Sequence, residues 1–293
     1  PVYLCGLRQN SWNRSNVAFQ NMGALEEEVI TLRTTVYSGE AMDASARLLD
    51  DVTLEPGEFH QYSGLLGSLE NGYVKVERVE GEAPFYAYGV INDQTNSDGS
   101  FVFPVTASSL EGRMGQTLPV IVETSVFQSE LKVTNFSQEP RTLDFWFVAE
   151  EINADDNTAG FSMRLEAGEQ AIIPDLVNEL RSWGVAGLGS TRGYYSGALF
   201  VEAEDGDMSG IVIGARTGSP GGGGQYGLFY NAVPNGDAPQ GSAWIYGLQQ
   251  NGENRSNLAL INTGEVDDSA SIFALEIYNG ETGTLAKTIN VTV

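Results

Sequence analysis

One segment of this chain occurs three times, and this internal repeat restricts the possible folds more than any other feature. The run from Gly6 to Gly23 returns at Gly247 to Gly264 with a constant spacing of 241 residues and no gap. A third version, Ser129 to Asn135, lies 114 residues after its counterpart in the first. Because a repeated segment indicates a repeated supersecondary unit, we expect tandem versions of one module.

The second half of the module recurs once. Gly72 to Glu77 aligns with Gly197 to Glu202, and the turn at Leu54 to Glu58 matches the turn at Leu165 to Glu169. The third version reaches Val293 without its own form of this turn. The sequence therefore predicts two full modules and the first half of a third, with these boundaries: residues 1–115, 116–238 and 239–293.

Apolar residues alternate with other residues in the repeated segment, which predicts a β-strand with one buried face. The alternating pairs are Val17 and Phe19, Leu131 and Val133, and Leu258 and Leu260. Residues that tolerate left-handed backbone follow the strand and predict a tight turn. Asn251-Gly252, a favoured hairpin dipeptide, comes before the strand in the third version. Each module is therefore expected to open with an antiparallel hairpin.

Composition also favours β-structure, since aromatic residues reach 10%, glycine counts 35 and charged residues only 18%. One helical pattern interrupts the second module between Pro174 and Gly184. Its apolar face consists of Leu176, Val177, Leu180 and Trp183. With about seven short strands per module, the predicted fold class is all-β, with tandem antiparallel β-sandwich modules and one short helical insertion.

In strand pattern and repetition, the whole chain resembles the tandem immunoglobulin-like or fibronectin-like β-sandwich modules of bacterial secreted and cell-surface proteins. The cysteine pair and the strand-C tryptophan of true immunoglobulin domains are absent. The resemblance implies an extracellular or cell-surface location.

The charge balance argues against several partners. The chain has 39 acidic and 15 basic residues, a formal net charge of −24, which repels nucleic acids and anionic membrane surfaces. No apolar stretch approaches the roughly 20 residues of a membrane-spanning helix. We expect no nucleic-acid partner and no membrane insertion, and we expect self-association or binding to other surface proteins.

Few residues are candidates for chemistry. His60 is the only histidine and Cys5 the only cysteine. The sequence therefore offers no support for a catalytic triad or a thiolate metal cluster, and we expect neither an enzyme nor a cofactor. Three acidic loops lack the full spacing of a calcium loop but leave calcium binding open. They are Asn92 to Gly99, Asn153 to Asn157, and Glu204 to Asp207.

Two further patterns concern loops. The glycine-rich run from Gly218 to Gly224 lacks the Lys-Ser/Thr pair of a phosphate-binding loop and is expected to form a flexible hairpin tip.

Four N-x-S/T sequons are possible glycosylation sites. These are Asn13, Asn135, Asn254 and Asn290.

Two functions remain open. The first is an extracellular structural or adhesive repeat protein, a subunit of a surface filament or layer assembled through strand pairing. The half-module would leave an apolar face and a strand edge uncovered, and strands of another chain or residues beyond this sequence would complete it. The alternative is a polymer- or carbohydrate-binding accessory region of a secreted hydrolase. Its aromatic candidates are Trp12, Trp146, Trp183 and Trp244, of which we expect Trp146 and Trp183 to lie in the core.

Overall fold

The computed structural model describes residues 1–154, 157–267 and 269–293. These residues form several antiparallel sheets and one α-helix, which confirms the predicted all-β class. The chain divides into two units, called unit 1 (Pro1–Pro234) and unit 2 (Asn235–Val293). No helix within the described ranges is long and apolar enough to cross a membrane.

Module 1 is a sandwich of two antiparallel sheets. Its strands are β1 (Val2–Arg8), β2 (Asn13–Asn21), β3 (Ile30–Ser38), β4 (Ala46–Leu48), β5 (Val52–Leu54), β6 (Phe59–Tyr62), β7 (Asn71–Glu80), β8 (Phe85–Asp93), β9 (Gly99–Val102) and β10 (Val105–Thr106). One sheet has the order β10-β1-β7-β3-β4, with β5 also on β3, and the other has the order β6-β2-β8-β9. Fully buried residues of both sheets, such as Leu4, Phe19 and Val74, form one core between them.

Module 2 has the same strand order. Its elements are β11 (Gly115–Glu123), β12 (Gln128–Asn135), β13 (Arg141–Val148), β14 (Thr158–Leu165), β15 (Gln170–Ile173), α1 (Leu176–Ser182), β16 (Tyr195–Ala203), β17 (Ile211–Gly221), β18 (Gly224–Asn231) and β19 (Val233–Pro234). Its strands follow the orders β19-β11-β16-β13-β14 and β15-β12-β17-β18, which correspond to those of module 1 with β14 in place of β4 and β5. One difference is a pairing of β11 with β12 at Glu123 and Gln128, which joins all nine strands into one sheet. The predicted common topology is confirmed, whereas the boundaries at residues 115 and 238 stay predictions.

The helical insertion of module 2 forms as its pattern predicts. Leu176, Val177 and Leu180 of α1 are buried, and Gly184 after its end has a φ of +76°. The expectation that Trp146 and Trp183 lie in the core is wrong, since their exposed fractions are 37% and 52%. Trp146 alternates in β13 with two buried phenylalanines and therefore lies on the outer face, while Trp183 is the C-cap of the helix, beyond its last buried turn.

A repeated asparagine fixes the end of the second strand in both modules. Asn21 is fully buried, and its Nδ2 donates to the carbonyls of Glu28 (2.7 Å) and Leu54 (3.0 Å). Asn135 is equally buried, and its Nδ2 donates to the carbonyls of Glu139 and Glu166 at 2.8 and 2.9 Å. The repeated turn of each module is thus tied to its second strand by one side chain.

Unit 2 contains one two-stranded sheet, β20 (Ile272–Tyr278) and β21 (Leu285–Thr292). The hairpin predicted to open this half-module keeps its turn, because Asn251 N donates to the Asn254 carbonyl at 2.8 Å, but residues 243–262 form no strands. The reason lies in the pairing of module 1, where β1 and β2 bond to β6, β7, β8 and β10 rather than to each other. The described residues of unit 2 include no versions of those partner strands.

Candidate functional site

Modules 1 and 2 meet at a buried polar junction centred on Gln170 of β15, whose side chain is 1% exposed. Its Nε2 donates to the carbonyls of Leu7 (3.2 Å) and Gly72 (3.0 Å), and to Asn71 Oδ1 (2.7 Å). Its Oε1 accepts from the backbone N–H of Gly6 at 2.6 Å. A single side chain of module 2 therefore bonds to backbone groups of both β1 and β7 of module 1, including the Gly6 N–H at the β1 bulge.

Charged side chains continue the junction. Lys132 of β12 is 1% exposed, and its Nζ donates to the Gly6 carbonyl (2.6 Å) and pairs with Glu130 (3.1 Å). Arg8 of module 1 also pairs with Glu130. Burial lowers the pKa of the Lys132 ammonium against the opposing effect of Glu130. Burial by itself raises the pKa of the Glu130 carboxyl. The positive charges of Lys132 and Arg8 outweigh this effect of burial, so the pKa of Glu130 is lowered. The lowered pKa favours the ionised form of the Glu130 carboxyl, opposite the Lys132 and Arg8 side chains.

A cleft of about 380 Å³ opens beside this cluster. Arg8, Glu130 and Arg216 line it, and Trp12 at its rim is 64% exposed. Arg216 is 6% exposed and donates to Ser100 Oγ at 2.7 Å, and its buried Nη2, which has no hydrogen-bond partner, lies 3.9 Å from the Asp98 carboxylate. Guanidinium groups beside an exposed indole suit a hydroxyl-rich ligand that carries a carboxylate.

The acidic loops contact protein groups. Asp93 and Asp98 of module 1 accept the backbone N–H groups of Gln225 (2.9 Å) and Gly227 (2.8 Å) in module 2. Asp205 and Asp207 both pair with Arg141. In the third loop, Asp155 and Asp156 lie outside the described residues. Among the residues that the structure describes, no group of three or more His, Cys, Asp or Glu side chains could hold a metal ion.

The residues considered for catalysis lie apart from the cleft. His60 is in β6 and packs between the rings of Phe19 (centroids 5.5 Å apart) and Tyr62 (4.6 Å). Its buried Nε2 has no hydrogen-bond partner. Cys5 is buried, and burial raises the pKa of its thiol to about 12, so it carries no thiolate at neutral pH.

The sequons differ in exposure. Asn13 is 9% exposed, and Asn135 is fully buried with its amide hydrogens donated to two carbonyls. Asn254 and Asn290 are exposed. Glycosylation stays a prediction, and the folded protein presents the latter two side chains to solvent.

The glycine-rich run forms the tip of the β17–β18 hairpin, with a positive φ at Gly222 and Gly223. This tip contacts module 1, because Asn96 Nδ2 donates to the Gly221 carbonyl at 3.1 Å. The run therefore contributes to the junction.

Four aromatic rings follow the outer face of β8 and β9 in module 1. Tyr88 and Phe101 stack on each other, with centroids 4.8 Å apart and planes 18° apart, and Phe103 meets Phe101 edge-on. Tyr86 lies beside Tyr88 at a tilt of 36°. Since the two central rings cover each other's faces, they do not form the flat row that stacking on a sugar chain requires.

Unit 2 exposes residues whose counterparts form the core of module 1. Leu4 and Leu7 are fully buried, whereas Ile245 and Leu248, 241 residues later, are 57% and 55% exposed. Val17 is fully buried and its counterpart Leu258 is 44% exposed. We call these exposed apolar residues, Ile245, Leu248, Leu258 and Ile277, the open face of unit 2.

Sequence reasoning did not identify the junction residues. Lys132 lies between Leu131 and Val133 in a half-buried strand, a position that ordinarily faces water. A signal was present in the rarity of the residue, because lysine occurs only at positions 75, 132 and 287. Gln170 and Arg216 carried no comparable signal.

Neither a scan against protein-family models nor a search of curated proteins finds a match for this chain.

Proposed function

We propose that this chain is part of an extracellular structural or adhesive repeat protein that assembles through strand pairing at unit 2. The observation that carries this proposal is the open face, where residues with core patterning are about half exposed. Apolar residues that correspond to core positions of module 1 and yet face solvent support a protein–protein contact at this unit. The polar junction of modules 1 and 2 supports a spacer role, since it fixes neighbouring modules through many buried bonds.

Self-association of the full chain tests this proposal. We expect the sedimentation coefficient to rise with concentration and electron micrographs to show oligomers or filaments. Leu248→Asp should abolish the rise, because it places a charge on the open face. Leu228→Asp is the matched control, since Leu228 of unit 1 is 54% exposed against 55% for Leu248. A chain that stays monomeric at high concentration, or an equal effect of both substitutions, contradicts the proposal.

The cleft beside Trp12 favours a second candidate, the binding of an acidic polysaccharide by an accessory region of a secreted hydrolase. Arg8 and Arg216 supply donors for carboxylates, and the exposed indole supplies a surface for a sugar ring. The junction that forms the cleft is built from both modules, so the cleft is a fixed feature of unit 1.

Calorimetric titration with uronate-containing and neutral oligosaccharides tests this candidate. We expect the acidic oligosaccharide to bind and Trp12→Ala to weaken binding by about tenfold or more, as expected for loss of one stacked ring. Trp146→Ala, which removes an exposed indole outside the cleft, should leave affinity unchanged. Absence of binding, or equal losses in both variants, removes the polysaccharide candidate.

A further inference from the structure

The core of module 1 includes one aromatic ring from module 2. Phe229 of β18 is 5% exposed and belongs to the buried cluster that contains Leu4 and Val74 of module 1. Its ring lies between two glycines, because a Cβ at Gly6 would be 3.2 Å from Phe229 Cζ and a Cβ at Gly214 only 2.5 Å from it. Module 1 is therefore packed around a side chain that it does not itself supply.

The bulge in β1 of module 1 depends on module 2 as well. Cys5 and Gly6 lie where the β1–β7 register shifts, and both are buried. The Gly6 N–H donates to Gln170 Oε1 and the Gly6 carbonyl accepts from Lys132 Nζ, both at 2.6 Å. A bulge interrupts the strand ladder, and here side chains of module 2 bond to the backbone at the interruption.

Strand β1 is also apolar on both of its faces. Leu4 and Leu7 belong to the core of module 1, whereas Cys5 is buried together with Tyr73 of β7 and Val212 of module 2. A strand with two buried faces is typical of the interior of a larger unit rather than of the outside of a sandwich. The outer face of this sheet is therefore suited to contact with module 2.

The dependence is not mutual. Within the described ranges, the buried core cluster of module 2 consists of residues of module 2 alone. Its own bulge lies between Leu118 and Ile121, at two residues that are partly exposed and so accessible to water. Several side chains that module 2 contributes to the junction, including Lys132 and Gln170, are polar, and water can hydrate them when module 1 is unfolded.

We propose that module 2 is a folding template for module 1: module 2 can stay folded while module 1 is unfolded, but module 1 does not stay folded once module 2 unfolds. Phe229 completes the core of module 1, and Gln170 and Lys132 bond to its β1 bulge. Because module 1 comes first in the chain, its fold is completed only when residue 229 is available. The proposal does not depend on the assembly function proposed above.

Hydrogen exchange of the full chain, followed by mass spectrometry, tests this order of unfolding. Slowly exchanging amides report the free energy of the opening that exposes them. If module 1 unfolds alone and module 2 only together with it, the amides of module 2 exchange from a state in which both modules are unfolded. A core substitution in module 1 then speeds exchange in both modules, whereas a core substitution in module 2 speeds exchange in module 2 alone.

Phe19 of module 1 and Phe145 of module 2 are matched for this comparison, since both are fully buried. We expect Phe19→Leu to speed exchange of the slowest amides about fivefold or more in β3 and in β16 alike. Phe145→Leu should do so in β16 and not in β3. Effects confined to the substituted module in both variants would show independent modules and overturn the proposal. Effects of both variants in both modules would show one joint transition and overturn the order of unfolding.

A third variant tests the shared ring itself. Phe229→Ala should speed exchange in β3 by about a hundredfold or more, because it leaves a cavity in the core of module 1. Tyr226→Ala is the control, since Tyr226 lies in the same strand and is 51% exposed, and it should leave exchange in β3 unchanged. Unchanged exchange in β3 after Phe229→Ala, or equal effects of the two substitutions, would contradict the role proposed for the ring.

Discussion

Glu130→Ala is expected to lower the free energy of unfolding of unit 1 by about 3–5 kcal/mol, the range measured when one partner of a buried ion pair is removed. Lys132 is 1% exposed and its ammonium group would stay in the interior beside Arg8 without the carboxylate that compensates both. Urea unfolding followed by circular dichroism measures the loss. Glu77→Ala, which breaks the more exposed Lys75–Glu77 pair, should cost less than about 1 kcal/mol.

A double substitution separates charge from packing at the same place. Glu130→Gln with Lys132→Met removes both charges and keeps most of the volume, so it should restore much of the stability that Glu130→Ala loses. A double variant as unstable as Glu130→Ala would show that the pair acts through its shape and hydrogen bonds. Equal losses for Glu130→Ala and Glu77→Ala would contradict the buried pair itself.

The contribution of the Glu130 carboxyl to folding stability depends on pH in a predictable direction. Its pKa is lowered in the folded protein, so its contribution to stability is complete above the unfolded-state pKa of about 4.3 and is lost as pH falls through the folded-state pKa. The difference in stability between the wild-type protein and Glu130→Gln should therefore shrink in acid. A difference that grows on acidification would contradict the sign of this shift.

Asn135→Ala is expected to destabilise unit 1 by about 1–3 kcal/mol, because it removes the buried side chain that ties the carbonyls of Glu139 and Glu166 to the second strand. These carbonyls keep only their bonds from Ser137 Oγ (2.9 Å) and from the Glu169 N–H (3.2 Å). Asn135 Oδ1 also accepts from the N–H of Ser137 at 3.0 Å, and this bond is lost as well. Unfolding in urea gives the value directly.

Asn262 offers a control within the chain. It occupies the equivalent position in unit 2, where its Nδ2 donates to the Ser269 carbonyl at 2.9 Å in a solvent-exposed setting. Asn262→Ala should leave the unfolding of unit 1 unchanged. Similar effects of Asn135→Ala and Asn262→Ala would mean that the repeated asparagine does not owe its effect to burial.

The strands and the common topology of the two modules could be predicted from the sequence because each repeated segment combines local patterns. The alternating residues Val17 and Phe19 indicate the buried face of their strand. The repeated turn glycines, Gly57 and Gly168, both have a positive φ, as expected for glycine in such a turn. The helix at Leu176 also has its own apolar face and flanking proline and glycine. Such signals need no knowledge of distant neighbours.

The junction could not be predicted, since its chemistry depends on residues more than a hundred positions apart. Gln170 and Gly6 belong to different sandwiches, and neither has an unusual local sequence. The same holds for Trp146, whose outward position depends on which face of β13 packs against the core. The opening strands that the sequence predicts for unit 2 do not form, because a local pattern carries no information on whether the partner strands are present.

The backbone at Gly6 has a consequence for how such a chain can be lengthened. A Cβ at Gly6 would lie 2.9 Å from Lys132 Cδ, so the close approach of a neighbouring module depends on glycine at this position. Position 247 keeps the glycine, whereas the corresponding position of module 2 is Val120. Modules 1 and 2 are therefore not interchangeable at this junction, because only one of them carries the glycine that lets its neighbour approach.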